Sequence, residues 1–555
     1  SKPIPELSEN VERSFSDFNS LFATSIGLYD LQRTIEQAAK DENIKGIYME
    51  LSGTPIGLST AKKIRQSLEA FRASGKFVVA YASAYSQRSY YIASAADRVY
   101  LHPLGGMDFM GFSAQIMFLK GMLDKVGVKA QVFYAGKFKS ATEPLRLTAM
   151  SEENRLQTRE YIEGAYSLYL NAISASRGIP ADSLRSIANT AAVRKAEDAL
   201  RLRLVDSLLY KDQVLADLRS RLGLQADEEI PSISSSKYYA SVKKDLHYKS
   251  TDNSIAVVYA EGSIVDGEGT EGSIGGERYA RLLRQIQKDE NVKAVVIRIN
   301  SGGGSALASD IIWREIEQIK NVKKIPVVAT MGDVAASGGY YIACNSDCIY
   351  AEDNTVTGSI GVFGLIPNMR DLYQNKLGIT MDTVKTGRYS TMTSDMGMYY
   401  EFSPEEAALV QKGVDDIYVT FKQRVSAGRK IPFENVDTLA QGRIWLGTTA
   451  QKNGLVDSLG GLQDAIAHAA RLANVSEYRV ELYPEMEDGN QRLMNLLTGK
   501  GSDGERSETM PTPASLALQG IEAEMPELAP FFRLLREVRQ MRGVQARMPF
   551  ELWIE

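Results

Sequence analysis

Asn291-Val-Lys-Ala-Val-Val-Ile-Arg-Ile-Asn300 rewrites Asn43-Ile-Lys-Gly-Ile-Tyr-Met-Glu-Leu51 at a distance of 248 residues. Two more blocks recur in the same order. Tyr90-Tyr-Ile-Ala93 returns as Tyr340-Tyr-Ile-Ala343, 250 residues on, and Leu204-Val-Asp-Ser-Leu208 as Leu455-Val-Asp-Ser-Leu459, 251 residues on. A separation this steady means that a whole domain has been duplicated, since solenoid repeats recur at roughly 20–50 residues. The chain is expected to hold an N-terminal repeat over residues 1–226 and a C-terminal repeat over 254–483, joined by a linker at 227–253 and followed by a tail at 484–555.

Within each copy the pattern is α/β. Ile44 to Leu51, Phe77 to Tyr81, Val292 to Ile299 and Ile325 to Thr330 are apolar runs of strand length, rich in β-branched residues and separated by amphipathic helical stretches. That alternation predicts largely parallel sheets with crossover helices. The later part of each copy is more helical, over Glu152 to Ser176 and Pro404 to Ala427. Ser403-Pro-Glu-Glu406 supplies an N-cap, a first-turn proline and two early acids to the second of these. The linker, with Ser232-Ile-Ser-Ser-Ser-Lys237, reads as a spacer. In the tail, Thr498 to Pro513 is polar and interrupted by glycine and proline, and reads as a mobile loop. Phe531, Leu534, Leu535 and Val538 follow at helical spacing with arginines between them, an amphipathic face for the protein's own body, a neighbouring subunit or a membrane surface.

With 44% hydrophobic and 24% charged residues in 555 positions, the chain has material for two large cores. A formal net charge of −5 lacks the basic footprint of nucleic-acid binding, so no nucleic-acid partner is expected. No run of eighteen apolar residues appears, and nothing in the sequence is long enough to span a bilayer. The second copy opens on Ile255-Ala-Val-Val-Tyr-Ala260, whereas Ser1-Lys-Pro-Ile4 aligns with Glu261-Gly-Ser-Ile264 and has no such lead. An upstream strand, and with it a signal or membrane anchor, is expected to precede Ser1. Cys344 and Cys348 have no second thiol pair and no nearby histidine. They read as small buried residues after a helix, and no metal or cofactor is called for.

The copies differ where chemistry is concerned. Ser337, in Ala336-Ser-Gly-Gly339, stands opposite Gln87 of the first copy. A serine hydroxyl needs a base to remove its proton and donors to receive the charge that develops on the substrate oxygen. The three histidines fit poorly: His468 lies in a helical stretch, His247 in the linker, and His102 lacks an acidic partner. A lysine is the leading alternative, provided burial without a carboxylate keeps its amine neutral. Lys137 and Lys139 of Gly136-Lys-Phe-Lys-Ser140 correspond to Arg388 and Ser390 of the second copy. A cation is kept at the first position and lost at the second, which singles out Lys139. Ser337 also precedes a helix start, and the three glycines of Asn300-Ser-Gly-Gly-Gly-Ser305 let backbone approach a substrate closely. The amides of Gly303 and Gly338 are the expected oxyanion hole. The Walker ending Gly-Lys-Ser/Thr is absent, which argues against nucleotide binding.

Asn300-Ser-Gly-Gly-Gly304, Ala336-Ser-Gly-Gly-Tyr340, Thr357-Gly-Ser-Ile-Gly361 and Lys139-Ser-Ala-Thr-Glu-Pro144, in a duplicated chain, resemble the long form of the bacterial signal peptide peptidase A family over roughly residues 1 to 480. The resemblance implies a Ser-Lys dyad peptidase with Ser337 as nucleophile, Lys139 as general base and Ser359 orienting the amine. It implies two tandem repeats of a Clp-protease/crotonase-like fold, built from stacked β-β-α units. It implies, further, a homotetramer anchored in the bacterial inner membrane with its sites on the periplasmic side, degrading cleaved signal peptides and other hydrophobic peptides. One residue departs from the family pattern: Gly302 stands where members usually carry proline, so the loop is less stiff. Two other readings stay open on residues alone, a crotonase-like acyl-CoA enzyme and a catalytically silent membrane scaffold. Whether the dyad forms within one chain or between two is open as well.

Overall fold

The computed structural model describes residues 4–10, 24–51, 56–247, 251–270, 272–392, 399–484 and 544–548. The run that betrays the duplication, Val292–Ser301, is a central strand of an eight-stranded sheet. It pairs in parallel with Ser254–Glu261 on one side and Val327–Ala336 on the other. Val295, Val296 and Ile297 are buried because helices cover both faces, and a parallel strand so placed is apolar throughout. Helices Gly276–Lys288 and Ala306–Gln318 carry the apolar stripe of one face, and Leu462–Leu472 covers the other.

The first repeat builds the smaller version, a four-stranded parallel sheet in the order Gly46–Glu50, Phe77–Tyr85, Arg98–Met107, Ser207–Leu208. Gly46–Glu50, the counterpart of Val292–Ser301, is an edge strand here and only half buried. The second copy's strand gains its central place from the Ser254–Glu261 lead that the first copy lacks among the described residues. The paired late helices are twins of 26 residues each, Glu152–Arg177 and Pro404–Arg429, capped by Ser151 and Ser403. Both run slightly past the expected ends because Gly178 and Lys430 close them in the left-handed conformation.

Two expectations change. The expected spacer at 227–253 contains a helix, Ser235–His247, docked on the first repeat. Tyr238, Tyr239, Val242 and Leu246 share its inner face, and the Tyr239 hydroxyl donates to Asp30 at 2.8 Å. The polar serines before it concealed that apolar stripe. In the tail, Val544–Arg547 is a strand. The loop at Thr498 to Pro513 and the amphipathic stretch at Phe531 to Val538 lie outside the described residues.

A third, mixed sheet joins the copies. Its order is Ser273–Gly275, Ser263–Val265, Gly303–Ser305, Val544–Arg547, Val362–Asn368, Lys129–Ala135. Lys129–Ala135 of the first repeat runs antiparallel to Val362–Asn368 of the second, from Ala135 opposite Val362 to Lys129 opposite Asn368. Elsewhere the copies meet through an apolar seam of Leu58, Tyr161 and Ala165 against Val356, Ile444 and Leu446. Asp333 of the second copy accepts from the Ser59 amide, at 2.7 Å, at the start of helix Leu58–Ala73 in the first, where a carboxylate opposes the positive helix end.

Candidate active site

The Lys129–Ala135 strand delivers Lys139. After Ala135 the chain turns at Gly136, whose φ of +104° suits glycine, and the Gly136 carbonyl accepts from the Lys139 amide at 3.0 Å. The turn rests on the second repeat: the Phe138 amide donates to the Gln441 carbonyl at 2.8 Å. A side chain at Gly442 would stand 2.6 Å from the Lys139 Cβ, so the loop seats only on a bare backbone. Gln157, 1% exposed, completes the mount. Its Nε2 donates to the Phe138 carbonyl and to Ser140 Oγ, and its Oε1 accepts from the Ile444 amide of the second repeat. Gln157 was missed in the sequence. Its trace there was polar residues at Asn154, Gln157 and Thr158 on the otherwise apolar face that continues to Tyr161 and Ala165.

Ser337 sits between strand Val327–Ala336 and helix Gly338–Ala343, with φ +56° and ψ −114°. An L-residue holds such angles only when its surroundings over-determine them. Here the Ser337 amide donates to the Gly358 carbonyl at 2.8 Å, and its carbonyl accepts from the Tyr341 amide at 2.8 Å. Ser359, also at positive φ, is tied through its amide to the Arg443 carbonyl at 2.7 Å.

These mounts converge within one chain. Lys139 Nζ lies 2.7 Å from Ser337 Oγ, 3.1 Å from the Ser359 carbonyl and 3.2 Å from Ser359 Oγ. Lys139 is 1% exposed, and Ser337 and Ser359 are fully buried. Burial alone holds the amine well below the usual lysine range, and no carboxylate opposes it.

Of the two glycines, Gly338 opens its helix, where an amide has no partner within the helix. The Gly303 amide donates to Ser301 Oγ at 3.1 Å, and that hydroxyl donates in turn to the Gly262 carbonyl at 2.6 Å, so Ser301 pins the glycine loop. His468 pairs with Tyr350 and His102 stacks on Tyr210, both apart from this cluster. In the first repeat Gln87 grips Gly111 through both ends of its amide, at 2.9 and 3.0 Å, which makes the serine's counterpart a structural clamp. Lys137 is exposed and lies over the Phe138 ring.

Comparison with known proteins agrees with the duplication. The model of peptidase family S49 matches twice, over residues 70–225 and 319–476, once in each repeat. The chain is 33% identical over 533 residues to the chloroplastic serine protease SPPA of Arabidopsis thaliana, covering 95% of this chain and 75% of that protein. It is 34% identical over 548 residues to Protease 4 of Haemophilus influenzae, covering 94% and 84%. Among solved structures, ClpP1 from Listeria monocytogenes aligns with 38% of this chain and 92% of its own at 15% identity and a TM-score of 0.24, an overlap too small to add to the assignment. Matched in both repeats and one-third identical to proteases along nearly its whole length, the chain belongs to peptidase family S49 as a duplicated, two-repeat serine protease.

Proposed function

We propose that the protein hydrolyses peptide bonds with a Ser-Lys dyad whose two members come from different repeats of one chain. The observation that carries this reading is the 2.7 Å approach of a buried, carboxylate-free amine to the Ser337 hydroxyl. A neutral amine has two N–H groups and one lone pair, and Lys139 has three polar neighbours. Donation to the Ser359 carbonyl and hydroxyl leaves the lone pair for the Ser337 proton. Ser337 Oγ then attacks the substrate carbonyl carbon while the Gly338 and Gly303 amides receive the oxyanion. The second donation requires Gly303 to share or exchange its bond to Ser301. Lys139 passes the proton to the leaving amine, and a water repeats the sequence to free the enzyme.

The substrate class in this reading is that of the signal peptide peptidase A family, cleaved signal peptides and other hydrophobic peptides at a bacterial inner membrane, on the periplasmic side. No helix among the described residues is long and apolar enough to cross a membrane, so the proposed attachment belongs to an anchor outside them. The homotetramer is part of the same proposal, and the repeat supports it. Lys129–Ala135 has found the second copy's Val362–Asn368, while the reciprocal partners, residues 380–386 of the second copy and 111–117 of the first, stand unpaired among the described residues. Val384 is 98% exposed and Met117 54%. A neighbouring copy would complete that pairing.

The test is hydrolysis of a fluorogenic hydrophobic peptide by the wild type, Ser337→Ala and Lys139→Ala, with the assembly checked for each. Both substitutions are expected to lower kcat by about 10³-fold or more. Wild-type activity should rise with pH as Lys139 loses its proton; full activity in Lys139→Ala would move the base elsewhere.

A further inference from the structure

The tail strand Val544–Arg547 occupies the place where a substrate of this site would lie. It runs antiparallel to the glycine strand, with Gln545 opposite Ser305, Ala546 opposite Gly304 and Arg547 opposite Gly303. On its other edge it is antiparallel to Val362–Asn368, with Gln545 opposite Phe363 and Val544 opposite Gly364. Beyond Arg547 the Met548 amide donates to the Gly302 carbonyl. The segment thus adds a strand between the oxyanion loop and the strand that follows Ser359, the β-augmentation by which many proteins hold extended peptides.

Ala546 is the residue placed for chemistry. It is fully buried, and its methyl joins the main apolar cluster of the second repeat. Its carbonyl oxygen faces both expected oxyanion donors: a methyl built on Gly303 would be 2.2 Å from that oxygen, and one built on Gly338 would be 3.0 Å from it. On the far side, Arg547 is half-buried and reaches Ser263 Oγ at 3.3 Å.

We propose that the protein is its own substrate, cut within the same chain between Ala546 and Arg547; the proposal rests on the Ser-Lys reading above. Ser337 Oγ bonds to the Ala546 carbonyl carbon, and its proton goes to Lys139. The bond from that carbon to the Arg547 nitrogen breaks, and Lys139 returns the proton to the nitrogen, which leaves as an amine. Water then hydrolyses the Ala546 ester, releasing a carboxylate at Ala546 and restoring the Ser337 hydroxyl. The same geometry states the specificity of the site: an extended peptide with a small side chain on the acyl side of the broken bond.

The experiment follows the intact mass of the purified full chain over time, beside hydrolysis of a separate alanine-containing fluorogenic peptide. The wild type is expected to lose the residues from Arg547 onward at a rate independent of protein concentration over a hundredfold dilution, while Ser337→Ala keeps them. Ala546→Trp should slow tail removal at least tenfold, since a pocket that discriminates a single methylene by about that factor will not admit an indole. Its peptide hydrolysis should stay at or above the wild-type rate. A wild type that turns over the peptide and keeps its tail overturns the self-cleavage and leaves the dyad standing, as does cleavage at another bond or at a rate that rises with concentration. A wild type that cleaves neither tail nor peptide overturns both.

Discussion

Burial keeps the Lys139 amine below its unfolded value of 10.5, so between the two values the unfolded chain binds the extra proton. Stability therefore rises with pH toward the unfolded value, falls as pH drops through the window, and levels off below the folded one. Lys139→Met removes this dependence. The stability of the wild type relative to Lys139→Met should improve between pH 7 and pH 10 in urea unfolding; a constant difference would mean that the folded amine is charged. Lys139 and Ser337 were both legible in the sequence, because the repeat supplies an internal control: Gln87 stands opposite the serine and Ser390 opposite the lysine. Gln157 had no such contrast. Its role depends on contacts with Phe138, Ser140 and Ile444 across a repeat boundary, which no local pattern encodes.

At the scale of elements, the lysine turn is fixed by backbone packing. Gly442, at φ +74°, touches Lys139 where no side chain fits. Gly442→Val should leave the fold in place by circular dichroism while lowering kcat on the order of 10²-fold, because a shift of about 1 Å is enough to spoil the approach to Ser337. Unchanged kcat would show that the turn relaxes without moving the amine. Strands and helices of both copies were readable from their periodicity, with boundary errors of a few residues at Val327–Ala336 and Val292–Ser301. The helix Ser235–His247 was hidden by its serine-rich approach. The strand Val544–Arg547 was hidden for a different reason: Val-Gln-Ala-Arg is too short to show a period, and its conformation is set by the edges of Gly303–Ser305 and Val362–Asn368.

For the whole molecule, two sheets belong to one repeat each and the third belongs to both. That division makes the reciprocal, unpaired segments the natural contact between copies. Val384→Asp is expected to shift the protein to smaller species in size-exclusion chromatography with light scattering, since a charge would be buried in the new strand pair. An unchanged mass would place the contact elsewhere. The same third sheet sets the order of events during synthesis. The amine at position 139 leaves the ribosome long before the hydroxyl at 337, and the segment that seats it, Gln441 to Arg443, comes later still. A nascent chain therefore carries half a protease at a time, harmless to itself and to its neighbours, until most of the polypeptide has been made and the second copy has closed on the first.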